Sequence, residues 1–378
     1  MLFLAPLGAT LEGFVAPVSR ALRPYGLRPV AVAGRGSVPP SLHRSFDAVH
    51  EVAPFRRAGL RNLARAGRDL ARIVREERVD LLHLHTPYAV AVGRVVARVT
   101  RTPHVAVVHG TLFGAPGRAG QLFSVIETVS ARLTPTYVTL NPDDQEIYRR
   151  LAPRSRVHYA PCGGAGVDAE RLRASGPGEP VGEGRPPRVV VMGRLTPDKN
   201  FDLAVSAWRV ARRSLPDLEL RIVGSTSIGE PAWVPPDEPG ISAVGWTPEP
   251  GVELAAADVV LSTSPREGFG LTVAEALVMG KPVVAVDNRG TRGIAEKVAE
   301  GLILVPPRAA SISSALLSQL RARTVRIGPG VLESWRQENV VAFHASVILD
   351  ALARSTGGGR REGRGGAVAA PAETVAAG

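Results

Sequence analysis

Two glutamates stand eight residues apart in the stretch from Ser264 to Gly280, which reads Ser-Pro-Arg-Glu-Gly-Phe-Gly-Leu-Thr-Val-Ala-Glu-Ala-Leu-Val-Met-Gly. Between Glu267 and Glu275 lie Gly268 and Gly270, where a strand-like run, Val259 to Leu261, gives way to a helical pattern. The first amides of a helix are unpaired and carry partial positive charge, so such a junction suits phosphate. Glycine lets backbone approach a ligand closely. Eight residues are roughly two helical turns, so one carboxylate can sit at the mouth of a site and the other deeper on the same face. Carboxylates flanking a phosphate-binding turn suit a ligand with hydroxyls at both ends.

Two cations supply the complement. The buried-strand pattern Val189 to Met192 ends in Gly193-Arg194-Leu195-Thr196-Pro197-Asp198-Lys199-Asn200. Arg194, with a forked guanidinium, and Lys199, a point charge, can grip a pyrophosphate without a divalent metal. The chain has no Asp-x-Asp to hold magnesium, and no metal is expected. His83 and His85 share one face of a strand pattern, but no third ligand stands near them in sequence. His109 ends the run His104 to Val108 and precedes Gly110, at the strand end where a parallel sheet places working residues.

The elements that must position these groups alternate. Strand, Gly8 turn, helix from Leu11 to Leu22 and strand from Arg28 to Ala33 form a βαβ unit. Further strands are expected at 79–85, 104–108, 137–140 and 157–160. After a Gly/Pro/Glu-rich passage to Pro187 the alternation restarts at Val189, with strands ending near Gly224, Gly245, Leu261, Val286 and Val305. The expected organisation is therefore two α/β units. Residues 1–165 form an N-terminal Rossmann-like unit and 166–330 a C-terminal one, with a helix over 331–355 and a disordered tail over 356–378.

Composition narrows the partners. The chain has 378 residues, 44% hydrophobic, a single cysteine (Cys162) and a net charge of +11. One cysteine forbids an internal disulfide, which fits a reducing compartment. No apolar run reaches the roughly 18 residues that span a bilayer, and the apolar start lacks a basic leader, so a cytoplasmic location is expected. Residues 1–160 hold 22 arginines against 11 acidic residues, whereas 161–378 hold 24 basic and 24 acidic ones. The whole imbalance lies in the first half and calls for an anionic partner there. A helix predicted over Pro54 to Arg78 sets Arg57, Arg61, Arg65, Arg68, Arg72 and Arg75 within an arc of roughly 80°. That stripe reads as a face for anionic lipid or a phosphorylated acceptor. Aromatic residues do not alternate with the arginines, so nucleic acid is not expected.

The motifs resemble a known family. Met-Gly-Arg-Leu-Thr-Pro-Asp-Lys-Asn (192–200) and the 264–285 stretch, with its Glu-(seven residues)-Glu spacing, are similar to the family 4 retaining glycosyltransferases, glycosyl transferases group 1, of the GT-B fold. Asp80 to Thr86 and Val108-His109-Gly110 match as well, most like the branch that builds polysaccharides and lipid-linked glycans. The resemblance implies two Rossmann-like domains facing across a cleft, with the last helix crossing back to the first. It implies that Arg194 and Lys199 bind the donor diphosphate and stabilise the leaving nucleotide, beside Gly193. Glu267 would bind donor-sugar hydroxyls with the amides of Gly268, Phe269 and Gly270, and Glu275 the ribose. His109 would reach the donor sugar, Gly8 would let the diphosphate approach, and the Gly224 and Gly245 loops would flank the base. A nucleoside diphosphate sugar, with UDP expected, is the co-substrate, and no further cofactor is implied. The expected acceptor is a hydroxyl of a polysaccharide or lipid-linked glycan precursor, with the enzyme peripheral at the inner face of the plasma membrane. A small natural product as acceptor, a nucleotide-sugar epimerase on the same fold and a non-catalytic binding protein are the alternatives. The Cys162-Gly163-Gly164-Ala165 passage departs from the shorter turn usual in the family.

Overall fold

The computed structural model describes residues 1–56, 59–114, 117–175, 185–226, 232–322 and 324–357, without the side chains of 119, 356 and 357. Seven short strands form the first sheet: β1 Leu2–Leu4, β2 Val30–Gly34, β3 Ala48–Val52, β4 Leu82–His85, β5 His104–Val108, β6 Thr136–Thr139 and β7 Arg156–Tyr159. Their order is β3-β2-β1-β4-β5-β6-β7, every pair parallel. The second sheet uses β8 Arg188–Met192, β9 Glu219–Val223, β10 Ile241–Gly245, β11 Val259–Ser262 and β12 Val283–Val286. A short strand β13, Val298–Glu300, precedes its last member, β14 Leu302–Val305. The order is β10-β9-β8-β11-β12-β14, again all parallel. β13 leaves this sheet to pair antiparallel with β15, Arg326–Ile327.

Parallel strands buried on both faces read as continuous apolar runs, which is why Val189–Val191 and Val283–Val286 were legible. In each sheet the strand order reverses beside the first strand, leaving a crevice at the carboxyl ends. This is the GT-B architecture that the motifs implied. Residues from both halves and from the last helix enter one apolar cluster, including Leu11, Val15, Phe269, Trp335, Val340 and Ile348.

Several predicted elements are corrected. The helix expected from Pro54 runs over Leu60–Glu76 with Gly59 as its N-cap in extended conformation. Phe55 is 1% exposed and sits in the core, and residues 54–56 stay outside the helix. Arg57 and most of the 356–378 tail lie outside the described residues. Gly8 does not make a left-handed turn. It is the first residue of a helix that begins three residues earlier than expected and passes through a π-turn at Leu11–Val15. The C-terminal helix is two, Pro329–Trp335 and Gln337–Gly357, broken at Arg336 (ψ 139°) where Val167 bridges to it. The helix Ala309–Ala322, with Ile312 and Leu316 fully buried, had not been anticipated.

Candidate active site

The loops after β8 and β11 are stitched together. The backbone oxygen of Lys199 accepts from Thr263 Oγ1 at 3.0 Å, and Asn288 Nδ2 donates to the Ser264 carbonyl at 3.0 Å. Asn288 also caps the helix Arg289–Ala295 through a complete capping box, so its amide is held from both sides. On this frame Lys199 Nζ donates to Glu267 Oε1 at 2.5 Å, with the two side chains 24% and 18% exposed. The predicted phosphate cation and the predicted sugar carboxylate are thus one ion pair. Arg194 bonds Asp198 at 3.2 Å. Burial pushes the Asp198 carboxyl up, but the Thr196 hydroxyl, Arg194 and Lys199 outweigh it and hold the carboxyl below its ordinary range.

The glycines fall where the backbone needs them. A Cβ on Gly224 would lie 1.8 Å from the Gly193 carbonyl oxygen. Gly193 donates to Val223 (3.0 Å) and Gly224 to Gly245 (2.8 Å), so the ends of β8, β9 and β10 lie backbone against backbone. Gly270, at φ +100°, turns the chain into the helix Leu271–Val278 that carries Glu275. Burial raises the Glu275 carboxyl to about 7, against the pull of Arg171. Phe269 is buried and packs edge-on to Trp335 at 6.0 Å. It also covers Gly163, where a Cβ would meet its ring at 2.5 Å. The unusual Cys162-Gly163-Gly164 passage is therefore the seat of the Glu267–Gly270 loop, folded as a turn with positive φ at all three residues.

His109 comes from the opposite sheet. The His109–Gly110 backbone meets Gly268: a Cβ on Gly268 would lie 3.0 Å from His109 carbonyl carbon and 3.1 Å from Gly110 N. Burial, with the neighbouring His344, lowers the His109 imidazole to about 3, so it is neutral at physiological pH. The Gly8 amide is bonded to Ser37, and a Cβ there would strike Ser37 O at 2.5 Å, so this glycine admits a loop of its own domain.

Sequence reasoning missed the clamp that closes the cleft. Asn141 Nδ2 donates to the Gly268 carbonyl at 2.8 Å. Arg289 donates to Asp144 at 3.2 Å and to the Phe113 carbonyl at 3.1 Å, and Arg292 donates to Asp143 at 2.8 Å. Burial raises the Asp144 carboxyl, although the Thr111 amide, Asn141 and Arg289 pull it down. Asn141-Pro142 with two following aspartates could be read as a helix start, but nothing local told that its acids face arginines 145 residues away.

The basic helix presents Arg61, Arg65, Arg68, Arg72 and Arg75 exposed, with Arg72 near Glu76 at 3.5 Å. Beside it, the helices Thr86–Thr100 and Gly117–Ser130 are locked by Arg94, which is buried and bonded to both oxygens of Glu127 at 2.8 and 2.7 Å. Outward from that lock stand Val95, Val99, Leu122, Val125, Ile126, Val129 and Leu133. They are seven of the eleven large apolar side chains exposed among the described residues, so the exposure is concentrated and not scattered. No helix among the described residues is long and apolar enough to cross a membrane.

Comparison with known proteins gives the arrangement its relatives. Residues 186–322 match the model of the glycosyl transferases group 1, and residues 12–171 that of glycosyltransferase family 4. EpsD of Bacillus subtilis is 26% identical over 328 residues, 80% of this chain and 83% of that one. The Escherichia coli UDP-Gal:alpha-D-GlcNAc-diphosphoundecaprenol alpha-1,3-galactosyltransferase is 24% identical over 253 residues, 62% of this chain and 65% of that protein. In fold, HepE of Anabaena, solved with UDP and glucose, superposes with a TM-score of 0.67 at 19% identity, covering 92% of this chain and 98% of that one. Sucrose-phosphate synthase of Thermosynechococcus elongatus gives 0.70 at 17% identity, covering 93% and 98%. Matched in both halves, the chain belongs to the group 1, family 4 glycosyltransferases of the GT-B fold.

Proposed function

We propose that this glycosyltransferase moves a sugar from a UDP-sugar, with retention of configuration and without a metal, to a hydroxyl of a lipid-linked or polysaccharide precursor. The observation that carries the reading is the Lys199–Glu267 pair lying across a closed cleft from His109. In this reading a donor diphosphate takes over the lysine, with Arg194 beside it. That frees the Glu267 carboxylate to accept from sugar hydroxyls, helped by the amides of Gly268, Phe269 and Gly270. Glu275 holds the ribose. Arg194 and Lys199 stabilise charge on the departing phosphate, which takes the acceptor's proton on the same face. No carboxylate needs to act as nucleophile.

Two comparisons support the donor and the acceptor class. HepE was solved with UDP-glucose, and the Escherichia coli relative acts on a diphosphoundecaprenol. The exposed apolar ridge beside an arginine-lined helix supports peripheral attachment to an anionic membrane surface, where a lipid-linked acceptor would be met. A small-molecule acceptor is the second reading, favoured by a 31% identity over 151 residues to a D-inositol 3-phosphate glycosyltransferase of Segniliparus rotundus, 36% of this chain and 34% of that one. A screen of nucleotide release with UDP-, GDP- and ADP-sugars, each with lipid diphosphate or soluble acceptors, separates them. Acceptor-dependent UDP release with the lipid acceptor is expected. Epimerised donor without acceptor, or no release with any pair, refutes the proposal.

A further inference from the structure

Behind His109 stands a file of histidines that the donor site touches only at its end. His109 Nε2 lies 2.8 Å from His85 Nδ1, and His85 Nε2 lies 2.8 Å from His83 Nδ1. The ring nitrogens bond one another and do not converge on a point, as metal ligands would. His83 and His85 are 1% and 3% exposed, wedged between Phe3 and each other. Burial holds all three imidazoles well below their ordinary pKa, so each carries a single N–H.

One proton per ring makes the file directional. If His85 donates to His109, then His83 donates to His85. If the direction reverses, the last proton sits on His83 Nε2. That atom is buried and has no hydrogen-bond partner. Its neighbour beyond, His344, has a ring centroid 6.1 Å away and donates its own Nε2 proton to the Gly164 carbonyl at 3.0 Å. A buried N–H without an acceptor costs more and is rarer than a bare nitrogen lone pair. The inward direction is therefore disfavoured, and the outward one leaves His109 with its proton on Nδ1. Nδ1 has no partner among the described residues and stays accessible to solvent.

We propose that His83 and His85 are positioning residues that lock His109 in the Nδ1–H tautomer, so that His109 offers the cleft a hydrogen-bond donor and not a base. The consequence for turnover rests on the reading of His109 as a donor-site residue; the tautomer itself does not. A donor there suits an acceptor atom of the substrate, a sugar hydroxyl oxygen or the leaving phosphate oxygen. It cannot take the acceptor's proton.

The test is the nitrogen NMR spectrum of the full chain labelled with 15N-histidine, His109 being assigned by the signal lost in His109→Gln. The wild-type protein is expected to show a protonated Nδ1 and a bare Nε2 at His109 across neutral pH. A bare Nδ1 overturns the proposal without any variant having to fold. His83→Asp places an acceptor at the inner end and should reverse the file. His109 then shows a protonated Nε2, and kcat falls on the order of 10²-fold with donor KM little changed, the scale of losing one donor aimed at developing charge. His83→Asn, whose amide can stand where Nδ1 stood, should keep kcat within about threefold. If the tautomer is as stated but His109→Gln turns over normally, the lock holds and the donor-site reading falls. If the tautomer is reversed and His109→Gln is inactive, the lock falls and the donor-site reading stands.

Discussion

Replacing Lys199 by alanine isolates the chemistry of the site better than any other single change. The backbone at 199 is fixed independently of the side chain: its N–H donates to the Thr196 carbonyl at 3.0 Å and its carbonyl accepts from Thr263 Oγ1 at 3.0 Å. The substitution thus removes the ammonium without moving the loop. Two losses follow. A charge-assisted hydrogen bond to a diphosphate oxygen contributes about 1.5–3 kcal/mol. Glu267, now without its 2.5 Å partner, repels the same diphosphate, which costs about 1 kcal/mol more after solvent screening. Together these lower kcat/KM by about 10²- to 10³-fold at ~1.36 kcal/mol per decade. The assay is initial-rate nucleotide release against donor concentration at saturating acceptor, with donor affinity from calorimetry. The fall should appear more in kcat than in donor affinity, because charge on the leaving phosphate grows in the transition state. In the Lys199→Ala background, Glu267→Gln should cost less than it does alone, since it removes the repulsion it otherwise reveals. A Lys199→Ala enzyme within about threefold of wild-type kcat/KM would refute the pyrophosphate assignment.

Other consequences of the geometry can be measured. Because burial raises Glu275 to about 7, donor kcat/KM should rise with pH through that value as the carboxylate forms to accept from ribose hydroxyls. Glu275→Gln should abolish that limb, and an unchanged profile would remove Glu275 from the donor site. Five histidines, 83, 85, 104, 109 and 344, are held neutral by burial, with pKa values below the ordinary 6.5. The unfolded chain takes up these protons first, so stability is full above about pH 6.5 and falls as pH drops, by up to ~1.4 kcal/mol per pH unit for each histidine. A urea midpoint that stays level down to about pH 5 would contradict this burial. Gly268→Ala should lower kcat about tenfold with little change in Tm, because its Cβ, 3.0 Å from His109, is relieved by parting the two halves. Gly290→Ala, 2.8 Å from Phe269 N and O inside one half, has no such relief and should lower Tm as well. Equal Tm losses for the two would sink the distinction.

Much of this protein is written locally. The all-apolar strands, the glycines at their ends and the Glu-(seven residues)-Glu pattern are set by short-range rules. A strand buried on both faces has to be apolar, and a sharp strand-to-helix junction has to admit positive φ, as Gly270 does. Those rules also placed His109, Arg194, Lys199 and Glu267 in the turns that follow strands and Glu275 on the helix beyond, and the family motifs implied a donor for them. Boundaries were less legible where a single side chain decides them. Phe55 is buried in the core and the basic helix starts only at Leu60, which the local pattern from Pro54 does not state. Gly8 looked like a turn residue, and its lack of a Cβ matters because Ser37 packs on it from 29 residues away.

What the sequence determined, then, is which residues stand at the carboxyl ends of which strands, because alternation, burial and turn chemistry act over a few residues. Only the tertiary structure decided how those ends meet. It joined Lys199 to Glu267, set Asn141 on Gly268 and Arg289 on Asp144, seated Phe269 over Gly163, and aligned His83, His85 and His109 in one file. Apart from the His83–His85 contact within one strand, each of these pairs residues far apart in the chain or on neighbouring strands. Hydrogen bonds and contacts of a few ångströms leave no periodic trace in a sequence, since the partners become neighbours only when strands assemble into a sheet or the two sheets close on one another.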